Sequence, residues 1–217
     1  MLAAMDSARI AALLQPFLGG EPASATLLAQ LQAYLDLLLR WNARINLTAV
    51  RDPEQIVTRH FGESLFAAHV LRNDGAFNPG LPIALADVGS GAGFPGIPIK
   101  LFAPELHLTL IESQNKKATF LKEAIRTLGL ENAEVYPGRA EHWGKTAQIV
   151  TMRAVERFDS VIPVATSLLT KGGRLCLLVS SKTTDYQPLT RGYGLGFNLG
   201  EMVPGRDGSY IFVGNAV

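Results

Sequence analysis

The sequence predicts an α/β fold: a doubly wound, Rossmann-like parallel sheet preceded by an N-terminal helical extension. Three observations carry this reading. From about residue 83 onward, short apolar strand-length segments alternate with longer amphipathic ones. The first strand, Ile83 to Val88, runs into Asp87-Val88-Gly89-Ser90-Gly91-Ala92-Gly93-Phe94-Pro95-Gly96, where glycines recur at every second position. The second strand, His107 to Ile111, ends in Glu112. Strand, glycine loop, helix, strand and acid make a nucleotide-type binding unit. The glycines let backbone approach a ligand, and the acid accepts hydrogen bonds from ribose hydroxyls. Residues 1–80 read as a helical region and 81–217 as the sheet domain, the two packed as one unit.

Taken in order, residues 6 to 18 form a short amphipathic helix, weakened at Pro16 and stopped by Gly19-Gly20. Ser24 caps a second helix that reaches about Arg44. Its apolar face of Leu27, Leu28, Leu31, Tyr34, Leu35, Leu38 and Leu39 packs on the chain's own domain. Trp41 to Val50 reads as a helix end turning into a packed loop. Asp52-Pro53 opens a third helix that runs through Arg59-His60-Phe61-Gly62-Glu63 to about Leu71. Gly62 inside it costs about 1 kcal/mol relative to Ala, which a packing or ligand contact must offset. His60 reads as a hydrogen-bonded structural histidine in preference to a catalytic base. Residues 73–80 form a turn-rich connection.

Pro95 and Pro98 mark the start of the helix after the glycine loop. Beyond Glu112, a helix begins at Asn115 and ends near Gly129; a third strand, Ala133 to Tyr136, precedes the loop Pro137 to Glu141. A fourth strand, Gln148 to Met152, ends at Arg153-Ala154-Val155. Then come a helix from Phe158 to Leu169, a Lys171-Gly172-Gly173 turn and a fifth strand, Arg174 to Ser180. Residues 192–200 and Ser209 to Val213 suggest two terminal strands, expected as an antiparallel hairpin at the sheet edge.

Composition bounds the function classes. At 47% hydrophobic and 18% charged, the chain is an ordinary globular protein. A net charge of +1 gives no global attraction for nucleic acid, so such binding needs a local basic face. The single Cys176 excludes an internal disulfide and agrees with a reducing compartment. Neither a membrane span nor a signal pattern is evident, so the cytoplasm is expected.

The glycine loop leaves its ligand open. Gly91 to Gly96 fits G-x-G-x-x-G, which admits a dinucleotide, and a plain glycine turn is the simplest alternative. The phase from Asp87, Asp-x-Gly-x-Gly-x-Gly, instead resembles the first motif of class I S-adenosylmethionine-dependent methyltransferases. The wider pattern is more specific: Trp41-Asn42-x-x-Ile45-Asn46-Leu47-Thr48, Arg59-His60-Phe61, Asp87 to Pro98, and Ile111-Glu112-Ser113 with Lys116-Lys117. Together, from about Trp41 to Val155, it resembles the RsmG (GidB) family of bacterial 16S ribosomal RNA methyltransferases. The resemblance implies a class I methyltransferase sheet with an N-terminal helical region, S-adenosyl-L-methionine as cofactor, and N7 of one 16S rRNA guanine as acceptor. The implied partner is 16S rRNA or the small ribosomal subunit, and the protein is expected to be monomeric.

Carried over by position, the donor site includes Gly89, Gly91, Gly93 and Phe94 in the glycine loop, and Ala140 and Glu141 after the third strand. It also includes Arg153 after the fourth strand, while Glu112 holds the ribose. Each has a plainer reading beside it: tight-turn glycines, a solvated Glu141, and an ion pair holding the loop for Arg153. The chain departs from the expected pattern at Gln148, at Glu63 in place of an aspartate, and at Ser180-Ser181-Lys182.

Guanine N7 is an exposed lone pair, so its methylation needs alignment and not a general base. Arg153 is the residue expected nearest the reacting groups. Cys176 lies mid-strand and reads as buried, unlike a cytosine-methylating thiolate. No Asn/Asp-Pro-Pro-Tyr/Phe loop for amine methylation occurs, and His60, His69, His107 and His142 show no ligand-like clustering. Arg40, Arg44, Arg51 and Arg59, with Lys116, Lys117, Lys122 and Arg126, make an RNA-binding face if the two groups share a side. A nicotinamide-dependent oxidoreductase and a non-catalytic RNA or ribosome-assembly binder are the competing classes.

Overall fold

Asp6 opens α1 (Ser7–Leu14) by accepting a hydrogen bond from Arg9 N at 2.7 Å. At Pro16 the helix tightens into a 3-10 turn, Gln15–Phe17. Ser24 caps α2 (Ala25–Asn42) through Leu27 N, as its position predicts. On α2, Leu27, Leu31, Tyr34, Leu35 and Leu38 are buried, and so is Leu37, while Leu28 and Leu39 are only partly covered. The buried face is wider than the sequence stripe because α2 is packed by neighbours on more than one side. The computed structural model describes residues 5–77, 82–153, 158–180, 195–197 and 200–216. Asn78-Pro79-Gly80, Ala154-Val155, Ser181-Lys182 and the outer residues of the expected sixth strand lie outside them.

Asp52 caps α3 (Pro53–Ile56), which widens into a π-helical segment (Val57–Gly62) before α4 (Glu63–Asn73). One continuous helix is therefore present, but with a widened turn that the sequence reading does not contain. At Gly62 a Cβ would stand 2.7 Å from the Phe17 ring. Close packing against Phe17 is what requires glycine there.

The strands are β1 (Ala84–Val88), β2 (His107–Ile111), β3 (Ala133–Tyr136), β4 (Ala147–Arg153), β5 (Leu169–Ser180), β6 (Leu195–Phe197), β7 (Glu201–Met202) and β8 (Ser209–Ala216). They run in the order β3-β2-β1-β4-β5-β8-β6, with β7 also paired to β8. β1 to β5 are mutually parallel, and β8 is antiparallel to β5, β6 and β7. The expected antiparallel pairing of the two terminal strands at the sheet edge is present between β6 and β8, with the short β7 between them in sequence and β8 also paired to β5. β5 begins at Leu169, not Arg174, because a register shift against β4 absorbs Lys171-Gly172-Gly173 within the strand. The connecting helices are α5 (Gly96–Phe102), α6 (Asn115–Leu128) and α7 (Phe158–Ser167).

A single buried cluster joins Ile10, Leu31, Leu65 and Ile97 to Leu85, Ile149, Cys176 and Val213 of the sheet. The opposite face gathers Ala86, Val150, Ile162, Leu175 and Leu177. The N-terminal helices thus help cover one face of the sheet. At the end of β1, Asp87 is fully buried. It accepts hydrogen bonds from the Thr151 hydroxyl of β4 at 2.8 Å and from Gly96 N at 3.3 Å, fixing both ends of the glycine loop. Burial pushes its pKa up to about 6, against the opposing pull of those hydrogen bonds and of Arg153.

Gly62→Ala is expected to lower stability by about 1–3 kcal/mol, overpacking against Phe17 outweighing the helix-propensity gain. A lower urea midpoint at unchanged slope is the reading that checks it. For Asp87, the folded carboxyl binds its proton more tightly than the unfolded one. Its contribution is therefore full below about pH 4 and is lost as pH rises toward 6. Wild-type stability relative to Asp87→Asn should fall by about 2–3 kcal/mol between pH 4 and 6.5. A pH-independent difference in paired urea melts would contradict the buried carboxylate account.

Candidate active site

Strand order reverses between β1 and β4, the position at which open α/β sheets take their ligands beyond the strand carboxyl ends. Two cavities open there. One, of about 350 Å³, is lined by Thr48, Arg59, His60, Glu63, Phe94, Arg153 and Arg206, among others. The other, of about 400 Å³, is lined by Val88, Ser113, Arg139, Ala140, Glu141 and Val164, among others. Gly89 belongs to both. Its φ of +69° is a glycine conformation, and a Cβ added there would meet no atom within 4 Å.

The glycine loop is held from three sides. Tyr34 of α2 donates its hydroxyl hydrogen to Ala92 O, and burial raises that phenol's pKa well above its ordinary value. Asp87 supports it from below. Glu112 accepts from Gly91 N at 2.9 Å and from Gln114 N at 2.7 Å. Each of its oxygens keeps a second lone pair for a further donor. Gly93 sits tight against Ile97 and the Tyr34 hydroxyl. Phe94 is buried, its ring centroid 4.8 Å from that of His60 and 5.5 Å from that of Tyr34.

The N-terminal motif residues converge on the same place. Asn42 organises the following loop, accepting from Leu47 N at 2.9 Å and Thr48 N at 3.0 Å while donating to Thr48 O at 3.0 Å. That loop brings the Thr48 hydroxyl within 2.8 Å of His60 Nε2. His60 Nδ1 lies 2.6 Å from Arg153 Nη1. A guanidinium only donates, so Nδ1 accepts and the ring proton sits on Nε2, directed at Thr48. Burial, with Arg153, Arg59 and Arg206 nearby, pushes the imidazole pKa down to about 3. His60 is neutral with both nitrogens engaged, which is the structural role and not that of a base.

Arg153 closes β4 and donates from Nη2 to Arg59 O and to Glu63 Oε2, each at 2.7 Å. Burial lowers its pKa while Glu63 opposes that effect. The ion-pair alternative for Arg153 is therefore present in the structure, and the same residue also lines the cavity. Glu63 Oε1 meets Arg206 Nε at 2.9 Å. Sequence reasoning missed Arg206, which stands in a Pro-Gly-Arg-Asp turn before β8 that carries no local signal of a site. Gln148, noted above as a departure, accepts from Ala84 N at 2.8 Å and so braces the start of β1.

Ala140 and Glu141 begin the 3-10 turn after β3; Ala140 is buried and Glu141 exposed on the second cavity. The predicted residues thus divide between the cavities: Ala140 and Glu141 line one, Phe94 and Arg153 the other. Gly89 is shared, and Glu112 secures the loop between them. Cys176 is fully buried in β5 and burial pushes its thiol far up, holding it protonated. Of the basic groups, Arg51 is exposed but engaged locally, donating to Asn42 O and Asn46 Oδ1 at 2.7 Å each. Packing of Trp41 on Phe120 and of Gln30 on Leu128 O sets α2 and α6 antiparallel. The exposed Arg40 and Arg44 therefore lie toward the start of α6, where Lys116 is exposed.

Solved structures share this architecture. An S-adenosylmethionine-dependent methyltransferase from Aquifex aeolicus aligns at TM-score 0.60 and 16% identity, over 79% of this chain and 97% of its own. Magnesium protoporphyrin IX methyltransferase from Synechocystis aligns at TM-score 0.62 and 17% identity, over 100% of both chains. At those identities the likeness establishes the class I methyltransferase fold. Sequence relatives are nearer. A ribosomal RNA small subunit methyltransferase G from Stenotrophomonas maltophilia is 42% identical over 77% of this chain and 76% of its own. One from Xanthomonas campestris is 39% identical over 92% and 91%. The profile of the GidB family, rRNA small subunit methyltransferase G, matches residues 27–190. The chain belongs to the GidB family of ribosomal RNA small subunit methyltransferases.

Proposed function

We propose that the protein transfers the methyl group of S-adenosyl-L-methionine to N7 of a guanine in 16S rRNA. The observation that carries this reading is that Gly89 of the glycine loop lines both cavities, one read as the donor's and the other as the acceptor's. Family membership displaces the dinucleotide reading of the glycine loop. The residues fit the donor: a cradle that any Cβ at position 89 would obstruct, and a carboxylate, Glu112, with lone pairs to spare. Ala140, Glu141 and Glu112 would hold its nucleoside end, and Gly89, Gly91, Gly93, Phe94 and Arg153 the part nearer the acceptor. When bound, the donor supplies an electrophilic methyl group on a sulfonium.

The protein's own residues then have a positioning task. N7 presents its lone pair without losing a proton, so no base is required, and His60 is unavailable as one. Phe94 and the glycine loop keep water from the reacting groups. Arg153, held at three points, faces the acceptor from a fixed direction. Residues 1–80 act as part of the same unit as 81–217, since α2 anchors the loop through Tyr34 and the π-helical segment supplies His60 and Arg59. The basic end of α2 beside the start of α6 suits the phosphate backbone of the RNA. No helix among the described residues is long and apolar enough to cross a membrane, and the reading is of a monomer acting in the cytoplasm.

Mapping 7-methylguanosine in 16S rRNA should detect one modified guanine when the gene is present and none when it is deleted. Arg153→Ala should reduce methylation roughly 100-fold or more, the scale of losing one preorganised charged contact. Normal methylation together with normal donor affinity in that variant, measured by calorimetry, would remove Arg153 from the site.

A further inference from the structure

Among the described residues, three guanidinium groups, those of Arg59, Arg153 and Arg206, line the acceptor cavity with a single carboxylate, Glu63. Both oxygens of Glu63 are engaged, Oε2 by Arg153 at 2.7 Å and Oε1 by Arg206 at 2.9 Å. His60, between them and Phe94, is neutral and adds no charge. Arg59 receives nothing from Glu63, and its Nε is a buried donor without a hydrogen-bond partner. Among the described residues, the Ser90, Ser209 and Tyr210 side of the cavity brings no second acid. An excess of positive charge in a partly enclosed cavity is costly unless an anion offsets it, and Arg59 is the guanidinium there that no carboxylate of the described residues meets.

We infer that Arg59 and Arg206 form an anion subsite in the acceptor cavity that holds a phosphate of the RNA strand carrying the target purine. The inference rests on the proposed reaction for the identity of the strand. The same chemistry has a second source, the carboxylate of the methyl donor's amino-acid end. Placement favours the phosphate. Glu63 divides its two oxygens between Arg153 and Arg206, so one carboxylate serves two guanidinium groups, and Arg59 has no carboxylate partner among the described residues. Arg59 and Arg206 come from the π-helical segment and the turn before β8. Neither of these two lines the cavity of Ala140 and Glu141. Guanidinium groups bind phosphate oxygens through paired, charge-assisted hydrogen bonds, which a turn residue and a helix residue can supply from two directions.

Calorimetry on the full chain tests this with guanosine, guanosine 5′-monophosphate and S-adenosylhomocysteine as probes. Wild type is expected to bind the monophosphate at least tenfold more tightly than guanosine. In Arg59→Gln and Arg206→Gln that advantage should shrink to less than threefold, with S-adenosylhomocysteine affinity unchanged. Arg206→Lys should keep part of it, and thermal melts confirm that each variant is folded. Equal wild-type affinity for the nucleoside and nucleotide would overturn the subsite. So would variants that keep the advantage, or that lose S-adenosylhomocysteine affinity in its place, the signature of the donor-carboxylate source. Loss of 7-methylguanosine mapping with the phosphate advantage intact would instead strike the proposed reaction and leave the subsite standing.

Discussion

The ion pair between Arg153 and Glu63 is the interaction on which the site depends. It joins the carboxyl end of β4 to the junction of the π-helical segment and α4, and so ties the sheet to the helical region across a sequence separation of 90 residues. Both side chains are largely covered, at 17% and 9% exposure, so neither would tolerate being left alone. The remaining contacts of Arg153, to Arg59 O and His60 Nδ1, turn the guanidinium into a rigid strut. Through His60 it reaches Thr48, and through Thr48 the loop that Asn42 frames. An N-terminal motif that has no chemistry of its own thereby acquires a role in shaping the acceptor cavity.

The glycine loop is constrained by the same economy of contacts. Tyr34 comes from the helical region, Asp87 from β1 and Glu112 from the end of β2, and each holds backbone of the loop directly. Asp87 has been buried at the expense of its ionisation, and its hydrogen bonds to Thr151 and Gly96 tie β4 to the far end of the loop. Rigid backbone at this place is what methyl transfer to a lone pair requires. With no proton to move, the barrier is lowered by fixing distance and angle between donor and acceptor.

Much of this was legible in the sequence, and the reasons differ by element. The β2 and β3 boundaries follow from short apolar runs between turn residues, and Glu112 and the loop glycines from their phase relative to β1. The proposed donor-side residues came from the resemblance, which carries them over at fixed steps from strand ends. The π-helical segment was not: one extra residue in a turn barely alters the hydrophobic period, yet it sits where Arg59 and His60 enter the cavity. The pairing of β8 with β5 is long-range and has no local mark. Arg206 was invisible for the same reason, since an arginine in a Pro-Gly turn reads as surface until β8 carries it to Glu63. Glu63 itself was noticed only as a departure, although it is the residue that pairs two arginines.

The charge of the site also has a direction. N7 methylation leaves the purine cationic, and a cationic purine beside three arginines is disfavoured unless negative charge is already in place. Glu63 supplies one carboxylate within the cavity and Asp87 a second beneath the loop, close enough to act on Arg153. A phosphate held between Arg59 and Arg206 brings the third, so the three arginines are matched when the methyl group carries its positive charge from sulfur to the ring. With guanosine alone that compensation is missing. The anion subsite therefore does more than anchor the strand: it sets the potential at the position where the new positive charge forms.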